Sequence, residues 1–214
     1  MRVRVKFCGM TSGKDAEAAV RAGADAVGFV FFEQSPRNVS PEYAEAIIKS
    51  LPPFISTAGI FVNEDMRFIE ECVERCGLTT VQLHGDEDVK YCKGFGRLRL
   101  SGVKLIKAIR IKDKESIRAI EECPADAFLL DTYKKDIYGG TGKEFDHSIA
   151  IMAKEYGRRI IISGGLSPDN VYDAIKEIRP FGVDVSSGIE SSPGKKNVEL
   201  MEEFMKEVRR ADKE

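Results

Sequence analysis

Residues 159–190, RIIISGGLSPDNVYDAIKEIRPFGVDVSSGIE, read twice over as an apolar, β-branched run that ends in small residues, with a segment of helical period between the two runs. The first run, 159–164, leads into Ser163, Gly164 and Gly165; the second, 183–187, leads into Ser186, Ser187 and Gly188. Between them, apolar residues at helical spacing predict a helix over 168–178, and Ser167-Pro168 offers an N-cap followed by proline at the first helical position. Strand, helix, strand in that order is the repeating unit of a parallel sheet.

The unit recurs back to the N-terminus. Further strand candidates lie at 3–8, 26–31, 56–62, 79–84, 104–109 and 127–131, and helical segments at 14–22, 41–50, 65–76, 87–95, 114–122, 146–156 and 198–211. Ser40-Pro41 repeats the N-cap and proline signal. Eight pairs with no linker or low-complexity break average about 27 residues each, which suits minimal units of a closed ring. An open doubly wound sheet is the competing arrangement, but eight strands is wide for one. The expectation is an α/β fold, a (β/α)8 TIM barrel, as a single domain over residues 1–214.

Composition narrows the partners. Lys and Arg number 33 against 35 Asp and Glu, so there is no basic excess of the kind nucleic-acid binding requires, and a small molecule is the expected ligand. No apolar run approaches the roughly 20 residues needed to cross a bilayer, and MRVRVKFCGM becomes a strand without a signal-peptide core; a cytoplasmic protein with no membrane partner is expected. Five cysteines, an odd count, argue against a disulfide framework. Cys72 and Cys76 sit four apart on a helical segment with no second ligand pair at suitable spacing, so packing is read there and no metal is assigned.

In a barrel the active site lies at the C-terminal ends of the strands, so the residues closing each strand become informative. The glycine-rich ends after strands seven and eight can make tight turns, or can point backbone N–H groups at a phosphate. Asp131 leaves the apolar run AFLLDT and is either an N-cap or loop residue or a functional acid; it shares a face with Leu129, and the inward assignment places its carboxyl group over the barrel mouth. Gln82 and His84 share a face in VQLHG, and the histidine is open to a structural or a catalytic reading. Arg37, after a proline-stiffened turn in QSPRNVS, is either an exposed surface residue or a rim fork for a carboxylate. The loop YGGTGK, with Gly140 and Gly142, is read as a flexible lid over substrate. Cys8 shares its face with Lys6, which is costly to bury alone, and Asp184 on the neighbouring closing strand is its expected partner.

Taken together, KFCGMT, GFVFFEQSPRNVS, VQLHG, LLDT followed by GGTGKEFD, ISGGL and DVSSGIE resemble phosphoribosylanthranilate isomerase of tryptophan biosynthesis, in order over essentially the whole chain. The resemblance implies a cofactor-free, metal-free Amadori rearrangement of N-(5′-phosphoribosyl)anthranilate; the assembly is left open as a monomer or homodimer. It assigns Cys8 as general base, Asp131 as general acid and Arg37 to the anthranilate carboxylate. The ends carrying Gly164, Gly165, Ser187 and Gly188 go to the phosphate, with Gln82, His84, Gly140 and Gly142 also at the substrate. Rival readings are a metal-dependent epimerase, which two histidines, His84 and His147, serve poorly; a lysine aldolase, for which Lys107 is the remaining inward candidate; and a catalytically silent phosphate-binding barrel.

Overall fold

The computed structural model describes residues 2–131 and 147–213. The loop with Gly140 and Gly142, and residue 146 at the start of one expected helix, lie outside the described residues.

Eight parallel strands close into a barrel in chain order: β1 (Arg4–Cys8), β2 (Ala26–Val30), β3 (Ser56–Phe61), β4 (Thr80–Leu83), β5 (Lys104–Arg110), β6 (Ala127–Asp131), β7 (Ile160–Ser163) and β8 (Gly182–Val185). Their bounds fall within two residues of those read from the sequence, because short β-branched runs have little freedom in where they start and stop. β8 returns to pair with β1, setting Lys6 opposite Asp184.

Side-chain alternation divides the core into two layers. Phe7, Phe29, Phe61, Leu83, Leu105, Phe128, Ile162 and Val183 point outward into the layer shared with the helices. Inside the ring lie smaller groups, with Cys8, Val30 and Ile60 at one end and Ile106, Ala108, Ala127, Leu129 and Ile161 along the other side. Each phenylalanine removed from water in the outer layer contributes roughly 1.5–3 kcal/mol. The helix layer follows from capping and amphipathic spacing. Helices α1 (Gly13–Ala22), α2 (Pro41–Lys49) and α3 (Met66–Cys76) start on Ser12, Ser40 and Asp65, whose side chains accept from backbone N–H groups. Cys72 and Cys76 are buried on the inner face of α3, as the packing reading expected.

Four details differ from the sequence reading. The helix expected over 87–95 is only α4 (Val89–Lys93), and a second short helix, α5 (Gly96–Leu100), follows it, because Gly94 and Gly96 weaken a continuous helix. Residues 114–122 begin as a 3₁₀ turn (Lys114–Arg118) before α6 (Ala119–Glu122). After α7 (His147–Lys154), the helix expected to start at Pro168 starts instead at Val171, as α8 (Val171–Ile178). Asn170 occupies the N-cap position there; its Oδ1 accepts from Ser167 N and its Nδ2 donates to Gly165 O, so the Pro168 segment is spent on a turn that shapes the loop after β7. Finally, a 3₁₀ turn (Ser187–Ile189) and a hairpin, β9 (Glu190–Ser192) and β10 (Lys195–Lys196), intervene between β8 and α9 (Val198–Lys213).

Lys107, entertained as an inward amine, points the other way. It pairs in register with Leu83, whose side chain belongs to the outer layer, and its Nζ donates to Glu87 Oε2 and Gly85 O, both at 2.8 Å. An outward lysine neutralised by a carboxylate cannot serve chemistry in the barrel mouth.

Candidate active site

Cys8 ends β1 facing into the barrel, and a bare Cα on the neighbouring strand makes room for it. A Cβ on Gly28 would come 3.0 Å from Cys8 Sγ and 3.1 Å from Lys6 Cε. One layer below, Lys6 Nζ donates to Asp184 Oδ1 at 2.9 Å, the buried pair expected from strand alternation. Burial opposes the Lys6 charge, yet Asp184 and Cys8 outweigh it and hold the ammonium above its ordinary pKa. Burial pushes the Cys8 thiol up; Lys6 and Lys196 pull against that rise, while the Asp184 charge adds to it.

On the far side of the mouth Asp131 ends β6. His84 Nε2 lies 3.0 Å from its Oδ2, and Gln82 Nε2 lies 3.0 Å from His84 Nδ1. With the amide N–H donating to Nδ1, the ring proton sits on Nε2 and is donated to Asp131. Gln82 and His84, read on one face, and Asp131, read apart from them, therefore form one chain of hydrogen bonds.

Arg37 stands on the rim between these groups and the β9–β10 hairpin. Its Nε donates to Glu190 Oε1 at 2.7 Å and its Nη2 to Glu190 Oε2 at 2.6 Å, a two-pronged pair. The aliphatic part of Arg37 crosses directly over Gly9, where a Cβ would come within 2.5 Å of Arg37 Cδ. Gly9 also has a φ of 78°, the left-handed region that favours glycine.

The ends of β7 and β8 complete the wall. Gly164 and Gly165 have φ of 89° and 72°, both in the left-handed region that favours glycine, and their bare Cα atoms line the cavity after β7. Ser186 and Ser187 face it from the next loop. Gly188 does not reach the hollow: a Cβ there would fall 1.9 Å from Leu166 O, so its bare Cα lets the two loops pack backbone to backbone. The cavity so formed measures about 380 Å³ and is lined by Cys8, Arg37, Gln82, His84, Asp131, Ser163, Gly164, Gly165 and Ser187 among others.

Sequence reading did not place three sets of residues at the site. Asp184 reaches the cavity as well as pairing with Lys6. Glu190 and Lys196 belong to a hairpin whose strands are too short to show alternation, so the only signal was the turn pair Pro193-Gly194. Val30, Phe32, Ile60 and Leu166 add an apolar wall suited to a flat ring. Among the described residues no cluster of His, Cys, Asp and Glu could hold a metal ion.

Residues 5–207 match the family model of N-(5′-phosphoribosyl)anthranilate (PRA) isomerase. This chain belongs to the phosphoribosylanthranilate isomerase family. An enzyme of that family from Geobacter sulfurreducens is 48% identical over 207 residues, spanning 97% of this chain and 98% of that relative. A phosphoribosylanthranilate isomerase solved with reduced 1-(o-carboxyphenylamino)-1-deoxyribulose 5-phosphate superposes with a TM-score of 0.85 at 38% identity, covering 97% of this chain and 99% of that one. A monomeric form of the dimeric phosphoribosylanthranilate isomerase of Thermotoga maritima gives 0.83 at 37% identity, with the same coverage. The chain is an isomerase of tryptophan biosynthesis on a (β/α)8 barrel. Among the described residues no helix is long and apolar enough to cross a membrane.

Proposed function

We propose that this phosphoribosylanthranilate isomerase runs a cofactor-free Amadori rearrangement, with Asp131 as general acid and Cys8 as general base. One observation carries the reading: Cys8 and Asp131, at the ends of β1 and β6, line a single cavity whose other wall offers Arg37 and the glycine-rich loops. Asp131 delivers a proton to the ring oxygen of the ribose, and the C1–O bond breaks to give an open-chain iminium. Cys8 then removes the proton on C2, and the electron pair moves to the C1–C2 bond, forming an enolamine. Ketonisation of that enolamine gives the aminodeoxyribulose product.

The surroundings suit these roles. Arg37 holds the anthranilate carboxylate, and the loops with Gly164, Gly165 and Ser187 hold the phosphate, so both charged ends are anchored away from the reacting carbons. Those two negative ends also favour a protonated Asp131 when substrate binds. His84 and Gln82 orient the acid. If the Gln82 amide turns over, its carbonyl accepts from Nδ1–H and leaves Nε2 to accept from a protonated Asp131, so the chain serves both states of the acid.

The test is isomerase assay with chemically generated phosphoribosylanthranilate on wild type, Cys8→Ser and Asp131→Asn. Each variant is expected to lose about 10²–10⁴-fold in turnover, the usual worth of a positioned acid or base. It should still bind the reduced product analogue. Unchanged turnover in either variant removes that residue's role.

For assembly we propose a homodimer. Phe54, 99% exposed, stands on a loop stiffened by Pro52 and Pro53 at the N-terminal end of the barrel, where an apolar-floored hollow of about 590 Å³ opens. Sedimentation should give a dimer for wild type and a monomer for Phe54→Glu; a wild-type monomer rejects the assembly.

A further inference from the structure

Glu190 is held between two cations. Its Oε1 accepts from Lys196 Nζ at 2.7 Å while both oxygens take the Arg37 fork, and its side chain is 4% exposed. Lys196 is fully covered, at 0% exposure, and also donates to Ser186 O at 3.0 Å and Ser186 Oγ at 3.4 Å. The hairpin that carries both residues is fastened to the site's own loops. Gly194 O at its tip accepts from Thr11 Oγ1, and a Cβ on Gly194 would come 2.9 Å from Pro36 O, beside Arg37.

Charge accounting gives the arrangement a purpose. An arginine fully paired with a glutamate is neutral overall, and a poor receptor for an anion. A lysine behind the glutamate restores one net positive charge while staying out of reach of solvent. Burial alone would drive Glu190 toward its protonated form, but Arg37 and Lys196 hold its carboxyl below the usual range. The carboxylate therefore remains a fixed acceptor, gripping the Nε edge of the guanidinium and setting the plane of its other edge.

We propose that Glu190 and Lys196 are positioning residues for recognition of the substrate's carboxylate. Glu190 fixes the orientation of Arg37, and Lys196 supplies the charge that keeps an Arg–Glu pair attractive to an anion. The inference rests on the reading of Arg37 as the carboxylate holder, and it extends the binding site to two hairpin residues that do not themselves line the cavity.

Two ligands separate orientation from mere folding: reduced 1-(o-carboxyphenylamino)-1-deoxyribulose 5-phosphate and its counterpart without the carboxylate, measured by calorimetry on wild type, Glu190→Gln and Lys196→Met. Both variants are expected to weaken the carboxylate ligand about tenfold or more and leave the carboxylate-free ligand within about twofold. KM for substrate should rise in both, with kcat changed by about threefold or less. Glu190→Gln raises the local positive charge, so tighter carboxylate binding there overturns the orientation role. Equal weakening of both ligands, or no change, overturns the proposal, and Lys196→Met supplies the same readout if Glu190→Gln does not fold. Wild type binding the two ligands equally would instead remove the reading of Arg37 itself.

Discussion

Cys8 and Gly9 show how much one strand end can decide. Burial raises the thiol, so in the ligand-free protein the base form grows only as pH rises through the alkaline range. If Cys8 is the base, kcat/KM should climb about tenfold per pH unit below that titration. Stability runs the other way: a group whose folded pKa lies above its unfolded value contributes fully below the unfolded thiol range, and that contribution fades as pH rises toward the folded value. Activity should therefore increase while the melting temperature falls over one window, and a kcat/KM profile flat through it would dismiss the thiol as base. Gly9 is equally constrained, by its φ of 78° and by Arg37 lying across it. Gly9→Ala is expected to cost about 1–2 kcal/mol of stability from backbone conformation alone. It should also displace Arg37, raising KM more than an alanine elsewhere on the rim. Most of this was legible as residue types at strand ends. The exception was Arg37, where sequence offered a surface or a rim residue and could not show the glutamate, 153 positions away, that grips it.

At the level of elements, strands were easier to read than helices because their burial is two-sided and leaves a nearly continuous apolar run. Alternation within β1 and β8 was enough to pair Lys6 with Asp184, since two buried opposite charges on adjoining strands have few other partners. The same rule failed for Lys107, where no register was available to choose the inner face over the outer. Capping residues gave α1, α2 and α3 their starts, but Ser167-Pro168 satisfied the rule for a helix start and was used for a turn. Local signals cannot rank two cap-type residues, Ser167 and Asn170, three positions apart. The Lys6–Asp184 pair carries a sharp expectation. Lys6→Met should destabilise by about 3–5 kcal/mol, because it leaves a buried carboxylate without its cation. Adding Asp184→Leu should recover most of that loss in denaturant titrations. A double variant as unstable as the single would mean the loss is one of packing and not of charge.

Across the whole molecule, the proposed chemistry and the proposed assembly surface fall at opposite ends of one ring. The C-terminal mouth holds Cys8, Asp131 and Arg37, while the N-terminal end holds the second hollow and the exposed Phe54. Closure of the ring was implied by the count and spacing of units; the hairpin that grips Arg37 at the rim was not, since β9 and β10 are only three and two residues long. The pair joining β1 to β8 lies between the two hollows, with Lys6 lining the lower and Asp184 the upper. Its partners are 178 positions apart, so closing the contact from the unfolded chain carries a high loop-closure cost, and late closure is the expected order. On that expectation the pair is a latch on the finished barrel. Lys6→Met should accordingly hasten unfolding and leave the refolding rate almost untouched in stopped-flow measurements. A slowed refolding limb would show instead that the first and last strands meet early, and that the barrel is assembled from its seam.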